Sequence, residues 1–224
     1  MASRYRTLVT AEAVGLVLLG ATGAAAQSVL PISVESDAGG RRGACVLVHR
    51  ADRERGVSLY FLTAAGLFLR PDGTHARLRS VTIRGPHDPI EVAPEDVALP
   101  SGHAVDVAVV RAEAKTSPLA SQPISFAPPA AGGAFAIVGP PGAVERVLEH
   151  VRFASTLLLV GDRDASELDV CVGAPAIDAE GVFGIVSDCR AQRVPLVSLL
   201  PMARPFLLEH IPGLAAPRET MHRP

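Results

Sequence analysis

The sequence predicts an all-β protein made of two small antiparallel β-barrels followed by a short C-terminal helix. Short apolar runs of β-forming residues recur along the chain, and turn residues separate them, with 20 Gly and 19 Pro among 224 residues. A segment rich in Ala, Ser and Pro divides these runs into two groups. No stretch between residues 27 and 198 has the length and periodicity of an amphipathic helix. Many short strands in two groups are typical of paired barrels.

The first group of predicted strands lies within residues 43–115. Polar loops and turn residues separate the runs, and the clearest turn signal is Pro71-Asp72-Gly73. The predicted strands cover residues 44–48, 57–63, 76–84 and 104–110. Residues 27–42 are polar and rich in glycine, so we expect a lead-in there and not a core element.

The second group of predicted strands lies within residues 133–212, after a linker predicted over residues 116–132. The strands cover residues 134–138, 144–151 and 155–160, two runs on either side of Gly181, and residues 193–197. A helix is predicted over residues 199–211, with Pro201 suited to its first turn. Its apolar stripe comprises Leu199, Leu200, Met202, Phe206, Leu207 and Ile211. Residues 213–224 are expected to form a flexible tail.

Residues 1–26 are predicted to be a signal peptide. Arg4 and Arg6 form a positive start, an apolar run extends over residues 13–26, and three alanines precede Gln27 at a suitable cleavage site. An uncleaved anchor is the alternative, but this run is shorter than the ~20 residues that a membrane helix needs. We therefore expect a secreted or periplasmic protein with no stable membrane span after cleavage.

Charge and histidine spacing argue against several classes of function. The formal charge of −2 creates no basic field, which argues against a nucleic-acid partner. None of the seven histidines has the spacing to a Cys or another His that is typical of a metal site. We therefore expect no metal and no cofactor.

Three short segments occur in order along the chain: residues 61–66 (FLTAAG), residues 106–111 (DVAVVR) and residues 171–175 (CVGAP). Their motifs and their order resemble those of bacterial trypsin-like serine proteases. The first resembles the Leu-Thr-Ala-Ala-His segment that carries the catalytic histidine, with Gly66 at the histidine position. The second resembles the Asp-Ile-Ala-Leu-Leu segment, with its aspartate present as Asp106, and the third resembles Gly-Asp-Ser-Gly-Gly-Pro, with Val172 at the nucleophilic serine. The resemblance covers residues 43–211 and implies the trypsin-like fold of two six-stranded barrels.

The same resemblance implies a degenerate catalytic triad at Gly66, Asp106 and Val172. Peptide hydrolysis needs a nucleophile, an imidazole and a carboxylate that orients it, and only the carboxylate is present. The equivalent of the oxyanion hole would use the backbone N–H groups of Val170 and Val172. A β-branched side chain at Val170 resists the positive φ that glycine adopts freely. We therefore expect the chain to be inactive as a peptidase.

By resemblance, the primary specificity pocket would be lined by Ser166, Ser187, Asp188 and Cys189. The resemblance also places Cys171 beside Cys189, which makes a disulfide between them possible after export. The alternative is that these two cysteines and Cys45 are buried free thiols.

Two hypotheses for the function remain. The favoured one is an exported, inactive homologue, a pseudoprotease, that binds a peptide or protein in the cleft between the barrels. The alternative is an active trypsin-like endopeptidase whose site is mis-registered or uses Cys171 as nucleophile. Such a site needs a base, and His75 and His103 lie nearest in sequence to the triad segments, although both sit beside turn residues typical of a surface. Whether the chain is an enzyme therefore stays open at the level of the sequence.

Overall fold

A computed structural model describes residues 27–101, 105–127, 135–140, 143–147, 150–153, 156–159, 172–188 and 196–214. The predicted signal peptide lies outside the described residues, as do His103, Ser166, Val170, Cys171 and Cys189. The strands are β1 (Val29–Ser36), β2 (Gly39–Arg53), β3 (Gly56–Thr63), β4 (Leu78–Arg84), β5 (Pro89–Val92), β6 (Val97–Ala98), β7 (Ala108–Ala114), β8 (Phe135–Gly139), β9 (Ala143–Val147), β10 (His150–Phe153), β11 (Thr156–Leu159), β12 (Pro175–Ile177), β13 (Val182–Asp188) and β14 (Leu196–Leu199). The prediction of an all-β fold is confirmed.

The first sheet has seven strands in the order β5-β4-β1-β2-β3-β7-β6, one more than the six expected. All neighbouring strands are antiparallel. The edge strand β5 also contacts β7, so the sheet curls into a nearly closed barrel. Ile32, Leu47, Phe61 and Ile83 are fully buried in its core. Closure of this kind leaves little strand edge exposed.

The lead-in predicted over residues 27–42 is wrong, because β1 occupies the middle of the first sheet. It pairs with β2 on one side and β4 on the other. Ile32 and Val34 are fully buried, whereas Ser33 is half-buried and Glu35 exposed, which is the alternation of a strand with one core face. The tight turn to β2 uses Gly39 with φ +101°, a conformation that glycine adopts without strain.

The second sheet also has seven antiparallel strands, in the order β10-β11-β14-β13-β12-β8-β9. Phe135 of β8 and Phe183 of β13 pack edge to face, with ring centroids 5.0 Å apart and an interplanar angle of 87°. Both side chains are fully buried. This pair anchors β13, the strand that ends at the site described below.

The predicted linker is described up to residue 127, and it is bonded to both sheets. The Gln122 amide donates to the carbonyl oxygen of Leu47 in β2, with N and O 2.8 Å apart. The Ser125 amide donates to Val182 O, and the Val182 amide donates to Pro123 O. This segment is therefore a structural connection between the two halves and more than a spacer.

The C-terminal helix, α1, spans Leu200–His210, close to the predicted residues 199–211. Pro201 lies in its first turn as expected, and Leu200 and Leu207 are buried. Met202 was assigned to the apolar stripe, but its side chain is 53% exposed, so that assignment is wrong. The part of the chain that the structure describes contains no helix with the length and apolar character needed to cross a membrane.

Candidate functional site

Gly66 and Asp106 are brought together by the pairing of β3 with β7. Thr63, the last residue of β3, faces Ala108, the first residue of β7. Gly66 lies in the 3-10 turn that follows β3 (Ala65–Phe68), and Asp106 lies just before β7. The end of one strand and the approach to the other therefore meet at one end of the first barrel.

The backbone of Gly66 is held directly against the carboxylate of Asp106. The Gly66 amide donates to Asp106 Oδ1, with N and O 2.6 Å apart, and Arg41 donates from Nη1 to the Gly66 carbonyl oxygen. A β-carbon at residue 66 would lie 3.5 Å from Asp106 Oδ2, which is ordinary van der Waals contact. A side chain at this position would therefore begin beside the carboxylate, the group that orients the imidazole in a catalytic triad.

Two serines from the second sheet complete the surroundings of Asp106. The Asp106 amide donates to Ser198 Oγ at 3.2 Å, and the hydroxyl oxygens of Ser198 and Ser187 are 2.7 Å apart. The Ser187 hydroxyl also acts on the Asp106 carboxylate and lowers its pKa, and either serine can donate in the bond between the two hydroxyls. Ser187 and Ser198 therefore form one polar cluster with Asp106 where the two sheets meet.

Burial raises the pKa of the Asp106 carboxyl above its ordinary value. The hydrogen bonds from the Gly66 amide, the Ser187 hydroxyl and the Ala65 amide oppose this shift, and the nearby charge of Asp188 adds to it. Desolvation disfavours the charged form, whereas donors to the carboxylate favour it. Among the ion pairs of the described residues, none includes Asp106.

The raised pKa of Asp106 predicts a pH-dependent effect of Asp106→Asn on stability. Above the unfolded pKa of about 3.9, the unfolded chain releases this proton while the folded chain still holds it, so rising pH lowers the free energy of unfolding of the wild type. Asparagine does not titrate, so the stability of the variant relative to the wild type should increase from about pH 4 until the folded carboxyl has ionised.

Urea unfolding of both proteins across this pH range measures the effect. The two proteins differ only at residue 106, so the difference between their stabilities reports that residue together with its interaction with Asp188. A difference that stays constant, or that decreases with rising pH, contradicts the prediction.

The Val172 turn is attached to the start of β2 and to β13. The Ala44 amide donates to Val172 O at 2.8 Å, and the Gly173 amide donates to Val186 O at 2.8 Å. The Val186 amide in turn donates to Ala174 O. Gly173 has φ +86°, and a β-carbon there would lie 2.1 Å from Ala44 O and 2.4 Å from Thr63 Oγ1. Val172 therefore lies in a tightly packed turn, and its side chain has no nucleophilic atom.

A pocket of about 460 Å³ opens beside Gly66 and Asp106. It is lined by Ala65, Gly66, Leu69, Gly73, Thr74, His75, Leu99, Pro100, Val105 and Asp106. The prediction that His75 is a surface residue is correct, since its side chain is exposed at this rim. Among the described residues, no group of three or more His, Cys, Asp or Glu side chains is arranged to hold a metal ion.

The structure brings together Gly66, Asp106 and Ser187, with Asp188 near enough for its charge to act on Asp106. The predicted roles of Ser166, Val170, Cys171 and Cys189, and the disulfide, lie outside the described residues and stay predictions. Sequence reasoning missed Ser198. Its signal was a single hydroxyl in the apolar run at residues 196–200, and the side chain is indeed buried.

Cys45 is a free, buried thiol in β2. Its Sγ lies 3.5 Å from the carbonyl oxygen of Leu30, and burial raises its pKa far above the ordinary range. A thiol in such surroundings stays protonated and packs as a small apolar group. Cys45 is therefore a buried free thiol, which agrees with both expectations, because a Cys171–Cys189 disulfide would also leave it unpaired.

Two antiparallel β-sheets, the first curled into a nearly closed barrel, make up the same fold as that of the trypsin-like serine proteases. Comparisons of the sequence with known protein families and with curated proteins find no match. Comparison with solved structures finds many matches.

Three of the similar structures are proteases or relatives of proteases. A thermostable serine protease from an extremophilic microorganism matches with a TM-score of 0.57 and 14% identity, over 78% of this chain and 91% of the other. An inactivated protease paralogue from the scabies mite matches with a TM-score of 0.58 and 11% identity, over 86% and 95%. A protease from M. tuberculosis in its active form gives 0.53 and 18%, over 86% and 85%. Similarity at this identity shows the fold alone.

Proposed function

We propose that this protein is an inactive homologue of trypsin-like serine proteases, a pseudoprotease, which binds a peptide or protein partner in the cleft between its two sheets. The contact between Gly66 and Asp106 carries the proposal. The carboxylate keeps a place and hydrogen bonds suited to orienting an imidazole, yet the residue that faces it has no side chain. The proposal includes export directed by a signal peptide at residues 1–26, and this part rests on the sequence alone.

The missing groups account for the loss of peptidase chemistry. A serine or cysteine attacks a peptide carbonyl only when a base takes its proton, and the carboxylate of a triad acts through that base. Loss of either the nucleophile or the base costs about a millionfold in turnover in a serine protease. With Gly66 and Val172 at these two positions, Asp106 has nothing to orient.

Several features support peptide binding in the cleft. Ser187 and Asp188 are half-buried at the end of β13, close to Asp106 and its pocket. Both main-chain groups of Val186 bond to residues 173 and 174, so a peptide that adds to this edge of the strand would have to pair beyond Val186. The similar scabies mite structure is described as an inactivated protease, so this fold can persist without activity.

Active-site labelling tests the inactivity. We expect neither a fluorophosphonate probe nor a thiol-directed peptide warhead to label the purified protein at a single site, under conditions in which trypsin or papain is labelled fully. Mass spectrometry of the digested protein locates any adduct, and Asp106→Asn and Cys171→Ser are the matched variants.

Stoichiometric labelling of one residue that depends on Asp106 or on Cys171 would overturn the proposal in favour of an active endopeptidase. The binding half is tested by selection from a library of displayed peptides. Enriched sequences should compete with one another for the wild-type protein, and a selection that enriches none contradicts binding in the cleft.

A further inference from the structure

The pocket beside Gly66 offers a ligand both space and a carboxylate. The Asp106 carboxylate forms part of its wall, and the missing side chain at residue 66 leaves open the space in front of that carboxylate. A β-carbon at residue 66 would lie 3.5 Å from Asp106 Oδ2, in ordinary van der Waals contact, so the space beside Gly66 borders the carboxylate directly.

The charged and titratable groups near this pocket are Asp106 and His75 in its wall, Asp188, whose charge acts on Asp106, and Arg41 on the Gly66 carbonyl oxygen. Asp106 takes part in no ion pair among the described residues, Arg41 and His75 included. A partly buried carboxylate without an ion-pair partner among these residues gains more from an incoming cation than an exposed one does, because the local dielectric is lower. The remaining wall includes the apolar residues Leu69, Leu99, Pro100 and Val105, together with Thr74 and His75.

We propose that this pocket binds an imidazolium ring, with one N–H donating to the Asp106 carboxylate and the ring enclosed by the apolar wall. The natural source of the ring is either free imidazole-type small molecules or a histidine side chain of a partner. The second source rests on the function proposed above, whereas binding of the ring itself does not depend on it.

Titration with imidazole tests the proposal on the full protein near pH 6.5, where much of the imidazole is protonated. We expect saturable changes in the amide resonances of Gly66 and its neighbours, with a dissociation constant on the order of 1 mM, as suits a ligand of five heavy atoms. Pyrazole, which has the same shape but is neutral at this pH, should bind at least tenfold more weakly.

Asp106→Asn should weaken imidazole binding at least tenfold, because it removes the charge that faces the ring. Asp96→Asn is the matched control, since Asp96 pairs with Arg111 outside the pocket, and its affinity should equal that of the wild type. Gly66→His supplies a second test that does not remove the carboxylate, because its own ring fills the site and should abolish binding.

Equal binding of imidazole to wild type and Asp106→Asn, equal binding of pyrazole, or no saturable change would overturn the proposal. The second pocket, of about 410 Å³, serves as an internal control: Arg84 and His87 line it, and we expect no imidazole-dependent shifts there.

A final arm separates the two sources of the ring. If a histidine side chain is the natural ligand, the tripeptide Ala-His-Ala should bind at least as tightly as imidazole, and Ala-Ala-Ala should not bind. If imidazole binds and Ala-His-Ala does not, the site takes a free small molecule. That result leaves the ring site in place and counts against its use by a peptide partner.

Discussion

Gly173→Ala is expected to lower the free energy of unfolding by about 3 kcal/mol or more. A residue other than glycine at φ +86° costs roughly 1 kcal/mol by itself. The new β-carbon would also lie 2.1 Å from the Ala44 carbonyl oxygen and 2.4 Å from Thr63 Oγ1. These two atoms are hydrogen-bonded to each other at 2.6 Å and belong to paired strands of the first barrel, so they cannot both move aside cheaply.

Gly39→Ala is the matched control for this prediction. Gly39 has a similar φ of +101°, but no atom lies within 4 Å of an added β-carbon. The control should therefore cost only the backbone strain of roughly 1 kcal/mol. Urea denaturation of the three proteins measures both effects. Equal losses in the two variants would mean that the Val172 turn does not pack against the start of β2 as closely as the structure indicates.

Phe183→Ala is expected to cost about 3–5 kcal/mol, the range for removing a fully buried phenylalanine. The ring is 0% exposed and packs edge to face on Phe135, so its loss leaves a cavity between β8 and β13. Since a domain of this size is stable by only about 5–15 kcal/mol, the variant should unfold at a much lower urea concentration.

Met202→Ala is the control for the loss of a large side chain, because Met202 is mostly exposed on α1 and its removal should change stability by less than about 0.5 kcal/mol. The hydrogen bonds from residues 122–125 to β2 and β13 suggest that the two halves unfold as one unit. In that case, spectroscopic signals from the two sheets should be lost at the same urea concentration. A loss below 1 kcal/mol for Phe183→Ala would contradict the close packing of the second sheet.

Most strands could be predicted because each one carries its own local signal. The alternation of apolar residues and the turn residues between them located β3, β4, β8 and β11 to within a few residues. The strand β1 was not predicted because Ser33, Glu35 and the glycines at 39, 40 and 43 lower the density of apolar residues in the hairpin of β1 and β2. Its role depends on pairing with β2 and β4, and the second of these partners lies about 50 residues away along the chain.

The sequence predicted only those residues of the candidate site that lie within short motifs. Gly66 and Asp106 were located from the residues around them, and β3–β7 pairing brings them into contact. Ser198 could not be assigned to the site, because no motif around it links it to Asp106. It reaches the site through a hydrogen bond between the two sheets, whereas His75, which the sequence offered only as a possible base, lies in the pocket wall.

The sequence by itself determined the all-β class, most strand positions, the C-terminal helix and the pairing of a carboxylate with a residue that has no side chain. Those features depend on which residues are present and on the spacing of apolar residues within short segments. Only the tertiary structure decided the place of β1, the hydrogen bonds that connect Asp106 to Ser198 and Ser198 to Ser187, and the pocket beside the carboxylate. These depend on how strands far apart in sequence pack, because burial and electrostatic surroundings arise only when the two sheets meet.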